Sequence, residues 1–84
     1  MNFLDSWTLE KGGKKISRTI LFPDFISNMK FVNRVAKLAE KEGHHPDISI
    51  YYNKLVLDLW THSIKGLSEN DFVVASKINL LVVE

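Results

Sequence analysis

Three histidines are the residues of this chain whose types and spacing favour chemistry at neutral pH. His44, His45 and His62 fall within nineteen residues of one another, two of them adjacent and the third further along the chain. Imidazole titrates near neutral pH, so a histidine cluster can act as general acid and base. Imidazole is also a common ligand of zinc and other transition metals. Both chemistries require the three side chains to meet in space.

The residue pattern alone leaves three alternatives open for this cluster. A metal site lacks support from a His-Glu-x-x-His motif, and no Asp or Glu stands at an obvious ligand spacing. Adjacent histidines on extended backbone also point in opposite directions. Acid–base catalysis needs no such ligand set. The third alternative is a polar turn whose surface histidines have no function.

The first elements upstream of the histidines form a predicted β-hairpin. Residues 7–11 form a short strand, Gly12-Gly13 is a turn pair that tolerates positive φ, and residues 14–22 form the partner strand. In the second strand Ile16, Ile20 and Phe22 share one side with Arg18, as the two-residue period of a strand requires.

A long helix follows this hairpin. Asp24 is a favourable N-cap, and Gly43 suits the left-handed position after the last turn. Apolar residues at helical spacing form one stripe, and a second stripe lies beside it, so the predicted apolar arc is wide. The first stripe comprises Phe25, Met29, Val32, Ala36 and Ala39, and the second comprises Phe31, Val35 and Leu38.

A second predicted hairpin brings the histidines together. Asn53-Lys54 is a plausible two-residue loop, and pairing Tyr52 with Leu55 places position 46 opposite position 61. His45 and His62 then meet at one end of the sheet. One sheet face, covered by helices, carries Ile48, Ile50, Leu57, Leu59 and Tyr52. The other face carries Tyr51, Asp58, Trp60 and His62.

A second helix completes the chain. Ser68 and Asp71 have the spacing of a capping box, with Ser68 as N-cap, and this role alone accounts for Asp71. The element order is β-β-α-β-β-α. We therefore predict a single α+β domain over residues 1–84, a four-stranded antiparallel sheet of two hairpins with two helices packed on one face.

Composition restricts the class of protein. The 84 residues suit one domain, the absence of Cys excludes disulfides and thiolate chemistry, and the net charge of +1 disfavours direct nucleic-acid binding. The longest apolar run, Leu80-Leu81-Val82-Val83, is far shorter than the roughly 20 residues that span a bilayer. No signal peptide is evident. We expect a soluble cytoplasmic protein that does not bind membranes.

The residues around the histidines carry a specific resemblance. The chain resembles the pterin-4a-carbinolamine dehydratase family from Trp7 to about Ile78, and the likeness includes the Phe22-Pro23-Asp24-Phe25 segment. Many family members begin with a further N-terminal helix, for which six residues before Trp7 leave little room. The matching motif residues are Glu40, His44-His45-Pro46, Tyr52, Thr61-His62, Gly66-Leu67-Ser68 and Asp71.

The resemblance implies dehydration of 4a-hydroxytetrahydropterin to quinonoid dihydropterin in pterin recycling, with the pterin as substrate, no cofactor and no metal. It places the catalytic histidines on His44, His45 and His62. We expect His44 and His62 to transfer protons and His45 to orient the pterin. Glu40, one helical turn before His44, is expected to hold an imidazole tautomer.

The resemblance also implies roles for neighbouring residues and for assembly. Trp60 is expected to stack on the pterin or pack between subunits, Pro46 to fix the turn beside the substrate, and Asp71 to serve as a further site acid. Tyr52 is predicted to pack in the core. We expect a homodimer or homotetramer. The alternative function is a non-catalytic dimerisation module, as in animal members that are cofactors of a transcription factor.

Overall fold

Two hairpins and two helices build the protein in the predicted order. The structure, a computed structural model, describes residues 6–82. The strands are β1 (Thr8–Glu10), β2 (Lys15–Leu21), β3 (Asp47–Tyr51) and β4 (Lys54–Leu59), and the helices are α1 (Phe25–Glu42) and α2 (Glu69–Val82). All neighbouring strands are antiparallel, and their order across the sheet is β1-β2-β4-β3. The predicted α+β fold is confirmed.

The hydrophobic core lies between the sheet and the two helices. Every second residue of β4 is fully buried, and so is Ile16 of β2, because one face of these central strands is covered by α1 and α2. The sheet contributes Ile16, Leu55, Leu57 and Leu59, and the helices contribute chiefly Phe31, Val35, Val74 and Ile78. None of the helices within residues 6–82 combines the length and apolar composition needed to cross a bilayer.

The ends of α1 follow from capping chemistry. The Ser27 backbone N–H donates to Asp24 Oδ1 at 2.7 Å, which satisfies one of the free donors of the first turn. Gly43 ends the helix at φ 66°, a left-handed conformation that favours glycine. Both predicted caps are confirmed. The helix end matters for function because His44 and His45 follow it directly.

The Asp24 cap predicts a pH dependence of stability. The hydrogen bond from the Ser27 backbone, followed by that from its side chain, lowers the pKa of Asp24. A lowered folded-state pKa stabilises the protein above the unfolded value of about 4, and this contribution is lost as the pH falls through the folded value. Asp24→Asn keeps a good cap without the charge. We expect the variant to melt below the wild type at about pH 6, and this gap to close as the pH falls through the lowered folded-state pKa of Asp24.

Thermal unfolding of both proteins across this pH range provides the measurement. Asp24→Ala is the reference that lacks any cap, so it should stay the least stable of the three at both ends of the range. A constant gap between wild type and Asp24→Asn at every pH would show that the carboxylate charge contributes nothing.

The buried face of α1 differs from the first predicted stripe. The helix buries Asn28, Phe31, Val32, Val35 and Ala39, whereas Ala36 is exposed and Phe25 is 43% exposed. A polar contact also belongs to this face. The fully buried Asn28 donates from Nδ2 to the backbone oxygens of Tyr52 at 3.0 Å and Lys54 at 3.2 Å. The buried face therefore combines Val32 and Ala39 of the first stripe with Phe31 and Val35 of the second.

The register of the second hairpin is two residues from the predicted one. Tyr51 pairs with Lys54 and Ile50 with Leu55, so the loop is Tyr52-Asn53 rather than Asn53-Lys54. Tyr52 has φ 46° and is 67% exposed, so its predicted packing role is wrong. A slip of two residues keeps the residues that remain in the strands on their predicted faces, because the side-chain period of a strand is two.

Polar side chains of three elements meet at the β1 edge of the core. Trp7, 4% exposed, donates from Nε1 to Asn79 Oδ1 at 2.9 Å, and the Arg18 guanidinium donates to the same oxygen. Burial lowers the pKa of Arg18. The Asn79 amide therefore joins α2 to β2 and to the segment that leads into β1.

Candidate functional site

The end of the sheet nearest the C-terminus of α1 carries an open cleft of about 340 Å³. Residues 43–47 and 60–63 line this histidine cleft, so it contains His44, His45 and His62. One wall is the connection from α1 to β3, and the other follows the end of β4. The structure therefore brings the three histidines to one place, as the hairpin pattern predicts.

A buried carboxylate holds the first of these histidines. His44 Nε2 lies 2.6 Å from Oδ1 of Asp71, whose side chain is fully buried in the first turn of α2. Oδ2 of the same carboxylate accepts from Thr61 Oγ1 at 2.8 Å and from the Ser68 backbone N–H at 2.9 Å. An ionised carboxylate only accepts, so against an ionised Asp71 the hydrogen of this contact is carried by Nε2 of His44. Nδ1 is the nitrogen not engaged with Asp71.

The Asp71 network has one part that the sequence predicts and one that it misses. The predicted capping contact is present, because the Asp71 side chain accepts from the N-cap residue Ser68. Capping does not account for Asp71 fully, however, since its second oxygen binds His44. Thr61 also contacts Ser68, with 2.6 Å between Oγ1 and Oγ. The only signal for the wider network was the family resemblance, which includes these residues.

A second histidine–carboxylate pair lies at the surface. His45 Nε2 is 2.5 Å from Glu40 Oε2, and the two side chains are 59% and 79% exposed. Glu40 therefore binds His45 and not His44, although it lies one helical turn before His44. The two adjacent imidazoles point to different carboxylates, one buried and one in solvent, as extended backbone favours.

The third histidine is stacked on an indole. The rings of His62 and Trp60 lie 3.8 Å apart at an angle of 20°. Trp60 Nε1 donates to Asp47 Oδ2 at 3.0 Å across the hairpin. Sequence reasoning did not single out Asp47, although its diagonal position across the β3–β4 pair is a signal for such a contact. The stack presents a flat aromatic wall at the mouth of the cleft.

The remaining predicted site residues also border the cleft. Pro46 is buried at the start of β3 and lines the cleft beside His45. Within residues 6–82, no three His, Cys, Asp or Glu side chains are grouped as ligands of one metal ion would be. The described residues thus offer imidazoles with hydrogen-bonded carboxylates, an arrangement suited to proton transfer.

The fold and the cleft together define a small α+β protein with an open cleft lined by three histidines. The family model for pterin 4 alpha carbinolamine dehydratase matches residues 1–81. The chain belongs to this family. A provisionally named pterin-4-alpha-carbinolamine dehydratase of Stenotrophomonas maltophilia (strain K279a) is 44% identical over 78 residues, 93% of this chain and 67% of the relative. One of Rickettsia bellii (strain OSU 85-389) is 42% identical over 77 residues, with 92% and 67% covered.

Solved structures share the fold. The transcriptional coactivator/pterin dehydratase from Brucella melitensis superposes with a TM-score of 0.85 at 36% identity, covering 92% of this chain and 82% of that one. A pterin dehydratase-like protein identified as a RuBisCO assembly factor in the alpha-carboxysome has a TM-score of 0.77 at 18% identity, covering 95% and 93%. The second likeness concerns the fold alone. The chain spans about two thirds of the length of the curated relatives named above.

Proposed function

We propose that the protein dehydrates 4a-hydroxytetrahydropterin to quinonoid dihydropterin by histidine acid–base catalysis. The observation that carries the proposal is a pair of imidazoles, His44 and His62, on one cleft, with His44 held by the buried Asp71. Family membership supports the same reaction class. The reaction breaks the bond from C4a to its hydroxyl, which leaves as water after gaining a proton. A base removes a ring N–H proton, and the electron pair forms the new double bond to C4a.

The cleft residues divide these tasks. Hydroxide is a poor leaving group, so one imidazole must protonate the hydroxyl while the other accepts the ring proton. His44 is suited to this work because Asp71 holds its ring in one tautomer and orientation, leaving Nδ1 for the substrate. His62 lies on the opposite wall of the cleft and is the second member of the pair. These assignments involve only side chains, and no cofactor enters the scheme.

The other cleft residues bind and orient the pterin in this proposal. Trp60, stacked on His62, offers a flat surface to the pterin ring. His45 borders the ring and is held by Glu40 on the solvent side. Pro46 closes the wall between His45 and β3. Asp71 acts through His44 and is a positioning residue.

Stopped-flow dehydration of freshly generated 4a-hydroxytetrahydropterin tests the proposal. We expect the wild type to exceed the spontaneous rate, and His44→Ala and His62→Ala each to lose roughly 10²- to 10⁴-fold in kcat. His45→Ala is the matched control, with the same change in a solvent-exposed imidazole, and should mainly raise KM. Circular dichroism establishes that each variant folds. A folded wild type that gives no acceleration would overturn the proposal.

A non-catalytic interaction module is the second candidate function. The similar Brucella melitensis protein is described as a transcriptional coactivator as well as a pterin dehydratase, which supports this candidate. Exposed apolar side chains on α2, with Leu80 at 63% and Val73 at 37%, would serve such contacts or a homo-oligomer. A folded protein with an intact histidine cleft and no dehydratase activity would favour this candidate. Light scattering of the purified protein distinguishes dimer from tetramer.

A further inference from the structure

A second cavity continues from the histidine cleft on the sheet face opposite the helices. It has a volume of about 590 Å³ and shares Asp47, Trp60 and His62 with the cleft. The stacked Trp60–His62 pair therefore stands between the two cavities. We call this second cavity the lysine pocket. Its lining comprises Lys11, Lys14, Lys15, Lys65, Asp47, Trp60 and His62.

The lysine pocket carries uncompensated positive charge. Lys15 is neutralised, since its Nζ lies 3.5 Å from Asp58 and 3.9 Å from Glu10. The other three lysines are exposed, and no acidic side chain among residues 6–82 forms an ion pair with them. Asp47, the one carboxylate of the pocket lining, already accepts from the Trp60 indole. The chain as a whole carries a net charge of only +1, so this concentration of cations is local.

Two of these lysines occupy backbone positions that disfavour them. Lys11 has φ 54° and Lys65 has φ 51°, in the left-handed region where glycine or asparagine is favoured. The two lysines lie in different loops, Lys11 after β1 and Lys65 after β4, and both line the same pocket. This conformation costs a lysine free energy relative to glycine, and residues strained in this way cluster at active sites and ligand clamps.

The arrangement matches a substrate with a flat ring and a charged substituent. In a pterin, C6 is separated from the reacting C4a by a single ring atom. A substituent on C6 is therefore attached close to the reaction centre. A ring held at the histidines and Trp60 can direct this substituent across the stacked pair into the lysine pocket. Ammonium groups at its rim would attract phosphate or carboxylate and repel cations.

We propose that the preferred substrate is a pterin whose C6 substituent carries negative charge, as a phosphate ester or a carboxylate. This inference rests on the proposed function, since it assigns the substrate class of the same site. Lys11, Lys14 and Lys65 recognise the anionic group, and the histidines act on the ring. A pterin with a neutral polyhydroxyalkyl group on C6 lacks this contact with the lysines.

Binding of stable 7,8-dihydropterins, followed by their fluorescence, tests the inference apart from turnover. Three probes share the ring and differ at C6: a neutral trihydroxypropyl group, the same group as a phosphate monoester, and a benzoylglutamate with two carboxylates. We expect at least one anionic probe to bind about tenfold more tightly than the neutral one at low salt, with the advantage shrinking as salt rises. The anionic probe that gains identifies phosphate or carboxylate as the ligand group. Equal affinity of all three probes would overturn the inference.

Paired variants locate the effect. Lys11→Gln/Lys65→Gln should remove most of the advantage of the anionic probe and leave the affinity of the neutral probe unchanged. Lys30→Gln/Lys37→Gln, the same charge change on exposed positions of α1 outside the pocket, should leave both affinities unchanged. Because Lys11→Gly/Lys65→Gly suits the left-handed backbone, it should lose the same advantage with no fall in melting temperature. An advantage that survives in both pocket variants would contradict the assignment.

The two proposals fail in different ways. Turnover of the neutral substrate without any anionic preference would overturn this inference and leave the dehydratase function standing. Tight anionic binding without turnover of any 4a-hydroxypterin would overturn the dehydratase function and support the pocket as an anion site. Binding of a single-stranded oligonucleotide that depends on Lys11 and Lys65, with no preference among the pterins, would assign the lysines to nucleic acid instead.

Discussion

Asp71→Asn is expected to lower kcat about a hundredfold or more while leaving the pterin bound. Three donors converge on this carboxylate: His44 Nε2, Thr61 Oγ1 and the Ser68 backbone N–H. An amide offers one acceptor oxygen and places an NH₂ group where the second oxygen was, so at least one donor then faces another donor. The His44 ring loses its fixed tautomer or α2 loses its cap. We also expect a loss of about 1–3 kcal/mol in the free energy of unfolding, since the site is buried.

Glu40→Gln is the matched control for this change. It makes the same carboxylate-to-amide substitution next to the adjacent histidine, His45, but in a pair whose side chains are 79% and 59% exposed. Exposed pairs contribute about 1 kcal/mol or less, so Glu40→Gln should melt close to the wild type and keep most of its kcat. Stopped-flow rates and urea unfolding of both variants provide the comparison. Equal losses in the two variants would show that burial of Asp71 does not determine its role.

Leu57→Ala is expected to have the largest effect on stability among single changes in the sheet. Leu57 lies in a central strand with no exposed surface, at the centre of the core between sheet and helices. Truncating a buried leucine costs about 2–5 kcal/mol, and a chain of this length has a total free energy of unfolding of roughly 4–12 kcal/mol. The variant should therefore retain only a small margin of stability, and a fraction of it should be unfolded at physiological temperature.

The cross-strand partner of Leu57 supplies the control. Ile48 is paired with it in the β3–β4 register and lies on the same face, but it belongs to an edge strand and is 37% exposed. Ile48→Ala removes a similar apolar volume from a site that solvent already reaches, so its cost should be less than half that of Leu57→Ala. Urea unfolding monitored by tryptophan fluorescence gives both values. A greater loss for Ile48→Ala would contradict the position of the core described above.

Strand faces were predictable from the sequence, and strand register was not. Leu55, Leu57 and Leu59 recur at every second position, with Lys54 and Asp58 among the residues between them. This alternation identifies the buried face whatever the pairing, because the side-chain period of a strand is local. Register depends on the loop. Here the loop contains Tyr52 in a left-handed conformation, which a tyrosine in the sequence does not predict. Asn28, distant in sequence, holds the backbone oxygen of Tyr52. Tertiary contact therefore overrides the local preference for Asn53-Lys54.

The site shows the same division between local and distant information. The meeting of His44, His45 and His62 was predictable because it depends only on the two ends of one hairpin, and a slip of two residues does not separate them. The contact between His44 and Asp71 spans 27 residues and depends on how α2 packs beside α1. The hydrophobic periodicity of the sequence does not predict how the two helices pack. The residue type of Asp71 indicated a cap, and only the folded arrangement shows its second partner.

The hydrogen bond from Trp7 to Asn79 joins segments 72 residues apart in sequence, so the first and last elements of the described chain lie side by side. Segments that lie side by side can be joined by a short linker, which is what circular permutation and domain insertion require. The histidine cleft and its hydrogen bonds use residues between Glu40 and Asp71, so neither Trp7 nor Asn79 belongs to it. A short linker that joins the segment of Trp7 to the segment of Asn79 would therefore allow new chain ends to be made in another loop. The cleft could then be carried as a self-contained module within a larger host protein.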